Sequence, residues 1–365
     1  MICKILTYEE IDKREWKTLV EKSSTGTWFQ TPEAYAFFAS MPELFRPFVV
    51  AISNQTSLSE AQHSINPSLQ TLRAICMGYV TKEKSAVKQY FTRRAIIIGG
   101  PVIANDATEE EVGLLLEGIR GLEFRGLGSP IYVETRNLND YSRWKEAFEK
   151  AGFDYMPHLN FHIDPMVDNL SENRHRQVRQ SNAEIEIIEN KNIQNTAYAD
   201  INIEKEENKN ENTIREWYEI LRELYRTKVK TPLWPEEFFL EAYRQGVGTF
   251  MMVKHNNRVI GGSMLVMGKE GTTYEWYACG QNRVYKDQHP SVMATWAGIQ
   301  WAKEQGYTRY DMMGAGKPDE EYGVRDFKAE FGGEKVEHGR FLYVCKPMLY
   351  RFGKLGVKLL KKANN

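Results

Sequence analysis

The most regular hydrophobic pattern lies in the second half of the chain. Apolar, β-rich runs at 249–254, 258–267 and 272–280 have strand length and lead into an apolar-sided helix over 292–304. A strand over 308–313 then ends in Gly314-Ala315-Gly316, a short helix follows near 325–330, and a strand over 335–344 finishes the unit. Before this block come a basic helix over 170–181 with Arg174, His175, Arg176 and Arg179, a strand at 183–188, and helices over 214–228 and 236–244. The segment 190–212 is poor in apolar residues and reads as a solvated connection with weak helical content.

The first half has a similar grammar. A helix over 8–22 puts Ile11, Trp16, Leu19 and Val20 on one side, and Thr31-Pro32 opens a second helix through Phe37 and Phe38. Strands are predicted at 48–52 and 72–80, joined by a polar loop over 53–70, and then at 94–98, where turn residues Gly99-Gly100-Pro101 stop the run. A helix over 108–124 begins with Glu109-Glu110-Glu111, which suits the helix dipole. A strand at 130–135, a helix at 141–151 and a strand at 155–163 close this half.

The two halves echo each other. Trp144-Lys145 with Phe148, then Gly152-Phe153, parallels Phe327-Lys328 with Phe331, then Gly332-Gly333. Each set follows a helix and a strand and precedes another strand, as expected of a duplicated α/β unit. The sequence therefore predicts an α/β fold with mixed sheets in two domains, 1–164 and 165–365, consistent with a length of 365 residues.

Composition narrows the function. A net charge of −1 gives no global pull toward nucleic acid or membrane, so any such contact must be local. The four cysteines, Cys3, Cys76, Cys279 and Cys345, are scattered without CxxC spacing, which points to reduced thiols and to neither a metal site nor a disulfide framework. The N-terminus has no signal-peptide core, and no apolar run approaches the ~20 residues of a membrane helix, so a cytoplasmic protein is expected. After Glu337 no acidic residue occurs, while Arg340, Lys346, Arg351, Lys354, Lys358, Lys361 and Lys362 alternate with apolar residues. This tail suits either peripheral contact with anionic lipid or tRNA, or a packed terminal helix.

Lys328 is the first candidate for chemistry. A cation kept dry between Phe327 and Phe331 would stabilise the negative charge that grows on a carbonyl oxygen during acyl transfer, a term of about 3–4 kcal/mol. An ordinary surface lysine beside two core aromatics would look the same. Asp311, at a strand end before the small-residue turn, suits either a proton acceptor for an attacking amine or a cap on that turn. Tyr274, Trp276, Tyr277 and Tyr322 are candidates to line a groove, with Arg325 for a carboxylate or phosphate. Strand alternation sends Tyr274 and Trp276 to one face and Tyr277 to the other, so at least one belongs to the core. The segment 281–291 lacks the glycines with which a loop would cradle a pyrophosphate at the start of the 292–304 helix, which speaks against acyl-CoA. No nucleophile elbow or Ser-His-Asp spacing is visible, so transfer is expected to be direct.

The run Gly261-Gly262, Tyr274, Tyr277, Gly280, Pro290, Trp296, Gly306, Tyr310-Asp311, Gly314, Phe327-Lys328 and Phe331-Gly332-Gly333, with Phe29-Gln30 and Gly99-Gly100-Pro101 in the first half, resembles the Fem-type aminoacyltransferases. The resemblance implies tandem GNAT-like domains. It implies transfer of an amino acid from aminoacyl-tRNA to an amine of a peptidoglycan precursor stem peptide, without a cofactor or metal. Lys328 then stands where the family's oxyanion-stabilising lysine does. Phe38 occupies the place of a lysine with which family members hold the precursor's nucleotide, and the coiled-coil arm of some members has no counterpart. A GNAT-type N-acyltransferase using acyl-CoA or another acyl carrier on a sugar or peptide amine is the alternative, and a binding protein that kept the fold is a third reading.

Overall fold

Residues with branched or aromatic side chains dominate the runs that become strands, and those strands sort into two sheets. The computed structural model describes residues 2–55, 70–83, 85–122, 129–190, 201–229, 232–268 and 270–354. Most of the predicted polar loop at 53–70, and the basic tail from Leu355, lie outside the described residues.

The first unit comprises Met1–His158 and Glu337–Asn365. It contains β1 Ile2–Leu6, α1 Lys13–Lys22, α2 Pro32–Ala39, β2 Phe45–Gln55, β3 Gln70–Thr81, α3 Ala86–Thr92, β4 Ala95–Gly99 and β5 Val102–Ile103. After these come α4 Glu109–Arg120, β6 Tyr132–Asn137, α5 Lys145–Lys150, β7 Asp154–Met156 and, from the far end of the chain, β15 Arg340–Val344. The sheet order is β1-β2-β3-β4-β6-β15-β7, with β5 added to β3. β4 and β6 pair in parallel along their length, from Ala95↔Val133 to Gly99↔Asn137.

The second unit comprises Leu159–Val336. It contains β8 Leu159–Ile163, α6 Glu172–Gln180, β9 Glu184–Ile188, α7 Ile201–Leu224, α8 Glu236–Arg244, β10 Thr249–His255 and β11 Arg258–Met267. These lead to β12 Thr272–Gly280, α9 Pro290–Glu304, β13 Arg309–Gly314, α10 Gly323–Ala329 and β14 Glu334–Glu337. Its order, β14-β8-β13-β12-β11-β10-β9, repeats that of the first sheet position for position.

The repeat expected from sequence is therefore real, but the division at 164/165 is not where the units part. Each unit's sheet takes in a strand that follows the other unit's final helix. The expected strands over 155–163 and 335–344 are each broken in two, and the second piece of each, β8 and β15, enters the opposite sheet. At the second break Gly339 has φ +64°, and a Cβ there would lie 2.2 Å from the Tyr155 ring, so only glycine fits. Pro157-His158 and His338-Gly339 mark the two breaks in the sequence, but nothing there says which sheet the following strand joins. Two helices also differ from expectation. α3 has no counterpart among the predicted elements, and α7 begins at Ile201 inside the segment read as solvated. Its later residues bury Trp217 completely against Phe239 and Phe250, at 5.4 and 5.5 Å between ring centroids. Tertiary packing of that end carries the polar start along as helix.

In the first sheet β3 pairs with β4 at Tyr79 and Val80, and the gap before them, between Met77 and Ile98, is closed by Gln30. Its amide donates to the carbonyls of Met77 (2.7 Å) and Ile98 (2.8 Å) and accepts from Met77 N–H (2.7 Å), all in the buried core. This accounts for the Phe29-Gln30 motif: the glutamine acts as a piece of sheet. Gln30→Leu should leave those backbone groups unpaired and lower unfolding free energy by about 2–4 kcal/mol in a urea titration.

Candidate active site

The parallel pair β12/β13 opens where its counterpart β4/β6 stays closed. Among the described residues β12 and β13 pair over Thr272–Tyr274 and Arg309–Asp311 and no further. Both strands are irregular at this point. Against β11, Tyr277 faces Met264 and Glu275 faces Leu265, so Trp276 is an extra, bulged residue. Against β8, β13 loses register between Asp311 and Gly314, and Met313 takes a left-handed φ of +62°. The result is a wedge between two strands, the kind of place where α/β sheets expose backbone groups and side chains to a ligand.

Asp311 builds its side of the wedge. Its buried carboxylate accepts the Met313 N–H through Oδ1 at 2.6 Å, which fixes the left-handed residue. Oδ2 lies 3.3 Å from His162 Nε2 on β8. Of the two roles open from sequence, capping the turn is the one these contacts match.

Lys328 arrives from α10, and its side chain is 7% exposed. Its ammonium donates to the carbonyls of Met312, Met313 (3.3 Å) and Gly314 (2.8 Å), and so holds the irregular end of β13 from the other side. Burial lowers its pKa from 10.5 to about 8, a fall that the carboxylates of Glu275 and Asp311 both oppose. Glu275 is not among the residues that sequence reasoning singles out. It sits at the β12 bulge, 6% exposed, accepting hydrogen bonds from Thr295 Oγ1 on α9 (2.7 Å) and the Tyr310 hydroxyl (3.0 Å). Burial raises its pKa, opposed by Thr295, Lys328 and Tyr310. A lone carboxylate inside an apolar strand pattern is the signal that could have found it.

The other expected residues divide. Tyr274 is core, fully buried, its hydroxyl donating to Glu270 Oε1 at 2.6 Å. Alternation fails for Trp276 and Tyr277 because of the bulge. Both pack on α8, Trp276 against Phe238 (5.3 Å) and Tyr277 against Phe239 (5.0 Å), and both stay half-buried. Tyr322 is exposed, with its ring beside Gly316. Arg325 is not available for a ligand anion in this arrangement, because its guanidinium binds the carbonyls of Ala315 (3.2 Å), Pro318 (3.3 Å) and Lys317.

Phe327 and Phe331 do not enclose Lys328 as expected. They carry the Arg174 guanidinium, 4.6 and 5.2 Å from their ring centres. Helical periodicity explains this, since residues 327 and 331 share one face and 328 points to another. The N-terminal end of α6 then grips α10 through Glu330. Ser171 N–H donates to its carbonyl (2.9 Å), Asn173 Nδ2 to Oε2 (2.8 Å), and Arg174 pairs with Oε1 at 3.6 Å. Gly332, at φ +76°, lets the chain pass Asn169, whose carbonyl oxygen a Cβ would approach to 1.9 Å. Gly332→Ala should therefore cost at least about 2 kcal/mol and dislodge α10, seen as a lowered Tm together with lost activity.

The start of α9 is already furnished. Asn282 Oδ1 accepts the Ser291 N–H at 3.1 Å while its Nδ2 donates to Ser291 Oγ at 2.9 Å, and His289 before Pro290 has φ +46°. Beside this loop lies a cleft of about 900 Å³ whose wall includes Glu216, Glu219 and Glu223 of α7 and the cations Lys228, Arg258 and Arg283. Such mixed charge suits a zwitterionic or peptide-like ligand more than a polyphosphate.

Comparison with known proteins agrees with this architecture. Residues 190–328 match the family model described as an acetyltransferase (GNAT) domain. No curated protein sequence matches the chain significantly. In fold, it is similar to the crystal structure of FemX, with TM-score 0.63 and 12% identity over 96% of this chain and 99% of that one. It is also similar to L-PGS from Bacillus licheniformis, with TM-score 0.52, 12% identity, and 96% and 97% of the two chains covered. A tandem GNAT protein from the clavulanic acid biosynthesis pathway aligns at TM-score 0.51 and 8% identity over 94% and 98%. The second unit thus carries a GNAT acetyltransferase domain, which makes the protein an acyltransferase, and the fold of the whole chain is similar to that of FemX.

Proposed function

We propose that this acyltransferase moves an amino acid from aminoacyl-tRNA to an amine of a peptidoglycan precursor stem peptide, in the cytoplasm. The observation that carries the choice of donor is the start of α9, where Asn282 takes the Ser291 N–H that a pyrophosphate would need and no glycine turn is present. An ester donor held by its acyl end and its adenosine needs no such cradle. The reaction begins with attack of the acceptor amine on the ester carbonyl, forming a C–N bond. The carbonyl oxygen gains negative charge next to the wedge, where the buried Lys328 cation stabilises it by exchanging its long bond to Met313. The C–O bond to the ribose then breaks, and the departing oxygen takes the proton released by the amine. Asp311 serves by fixing Met313, and Trp276, Tyr277 and Tyr322 offer ring surface to the acceptor.

The second reading, an acyl-CoA donor, is favoured by the acetyltransferase description of the matching family model. One acceptor decides between them. A lysine- or alanine-terminated stem peptide is offered labelled aminoacyl-tRNA and labelled acetyl-CoA in parallel. Label entering from the charged tRNA is expected, and label from acetyl-CoA alone would replace the leading reading with the second.

A further inference from the structure

We propose that the first unit carries a docking surface for an anionic phospholipid bilayer, made by α3 and the helical segment 347–354. This stands apart from the acyl-transfer reading, since none of its residues belongs to the wedge. Four large side chains are exposed there: Tyr90 (49%) and Phe91 (60%) on α3, and Met348 (65%) and Phe352 (64%) on the second piece. Met348 and Phe352, four residues apart, share one helical face. The two pieces meet through Lys346, whose ammonium lies 5.3 Å from the Tyr90 ring centre, and Tyr90 is 5.1 Å from Phe91. Lys354 covers Tyr350 in the same way at 4.7 Å.

The sequence around these rings is mostly basic, the exception being Glu83, whose N–H donates to Gln89 Oε1 on α3. Between Lys84 and Asn105 the sequence has Lys84, Lys88, Arg93 and Arg94 and no acidic residue, and beyond Glu337 it has none either. Arg93, two residues beyond Phe91, adds a buried source of positive potential. Its side chain is 7% exposed, and its Nε and Nη1 have no hydrogen-bond partner among the described residues. A buried guanidinium left this way is costly, and an adjacent phosphate offsets that cost. Apolar and aromatic side chains among cations match the bilayer interface, where rings and thioether enter the headgroup boundary and lysines face phosphate. A tRNA surface would use the cations but leave Met348 and Phe352 in water.

The test is co-sedimentation of the full chain with vesicles of phosphatidylcholine alone and of phosphatidylcholine mixed equally with phosphatidylglycerol, at low and at physiological salt. Binding is expected with the mixed vesicles, weakening as salt rises. The double variant Phe91→Ser, Phe352→Ser changes exposed positions and should keep its melting temperature while binding about tenfold less. Lys346→Gln and Arg351→Gln should each weaken binding about fivefold. Absence of binding to mixed vesicles at low salt would overturn the proposal, as would binding indifferent to the two serines. It is equally overturned if the vesicles are ignored while deacylated tRNA is bound and lost on the glutamine substitutions, since the surface would then belong to nucleic acid.

Discussion

Lys328→Met is expected to reduce acyl transfer by about 10²–10³-fold, the loss typical when one preorganised group facing a developing oxyanion is removed. The same substitution leaves the carbonyls of Met312 and Gly314 without their donor, so a stability cost must be separated from the catalytic one. The pKa of about 8 does this through its sign. The folded value lies below the ordinary 10.5, so between the two the unfolded chain binds more protons, and stability rises with pH across that window. Below about 8 the full penalty of a buried ammonium is present. Lys328→Met removes both the penalty and the slope, so chemical denaturation between pH 8 and pH 10.5 should show the rise in the parent protein and a flatter profile in the variant. A variant that keeps its Tm at pH 7 while losing two or more orders of rate assigns the loss to chemistry.

Glu275→Leu is expected to be the most destabilising single change in the wedge, at about 3–5 kcal/mol. It removes one of the two carboxylates that act on the buried Lys328 cation, leaving Asp311, and strands the hydroxyls of Thr295 and Tyr310, which donate to Glu275 at 2.7 and 3.0 Å. Glu275→Gln is the milder probe. It keeps the shape and the hydrogen bonds but removes a charge that holds the Lys328 pKa up, so the lysine should lose its proton at lower pH than in the parent. Urea unfolding measures the first effect, and NMR titration of a labelled Lys328 side chain measures the second. An unmoved lysine titration would mean that the two groups do not share a field.

Much of the second unit was legible. The limits of β11 and β12 follow directly from their apolar runs, and Thr108 and Thr31 cap helices where expected. Lys328 stood out through the resemblance of its motif to that of the Fem-type enzymes, since the pattern alone fits a surface lysine equally well, and the side chain is buried. What the pattern could not carry was anything set by register. The bulge at Trp276 reverses the expected facing of Tyr277, and strand alternation alone cannot reveal an inserted residue. Helix phase, with the same information content, assigns Phe327 and Phe331 to Arg174. Arg325 looked free because its partners are backbone carbonyls of the loop after β13, which no side-chain pattern shows. Strand exchange through β8 and β15 depends on breaks at Pro157-His158 and His338-Gly339, where the proline and the glycine mark the places but not the sheet each following strand enters.

The proposed chemistry needs a positive charge at the β12/β13 wedge, and the pH–rate profile of transfer to a peptide amine reads that charge most directly. An acceptor amine with a free pKa of ~10.4 gives a rate that climbs with pH, and loss of the Lys328 proton should turn the profile over near pH 8. In Lys328→Arg, whose cation does not titrate in this range, the residual rate should keep climbing. A parent enzyme whose rate climbs without a break to pH 10, alongside an arginine variant of identical profile, would contradict the assignment.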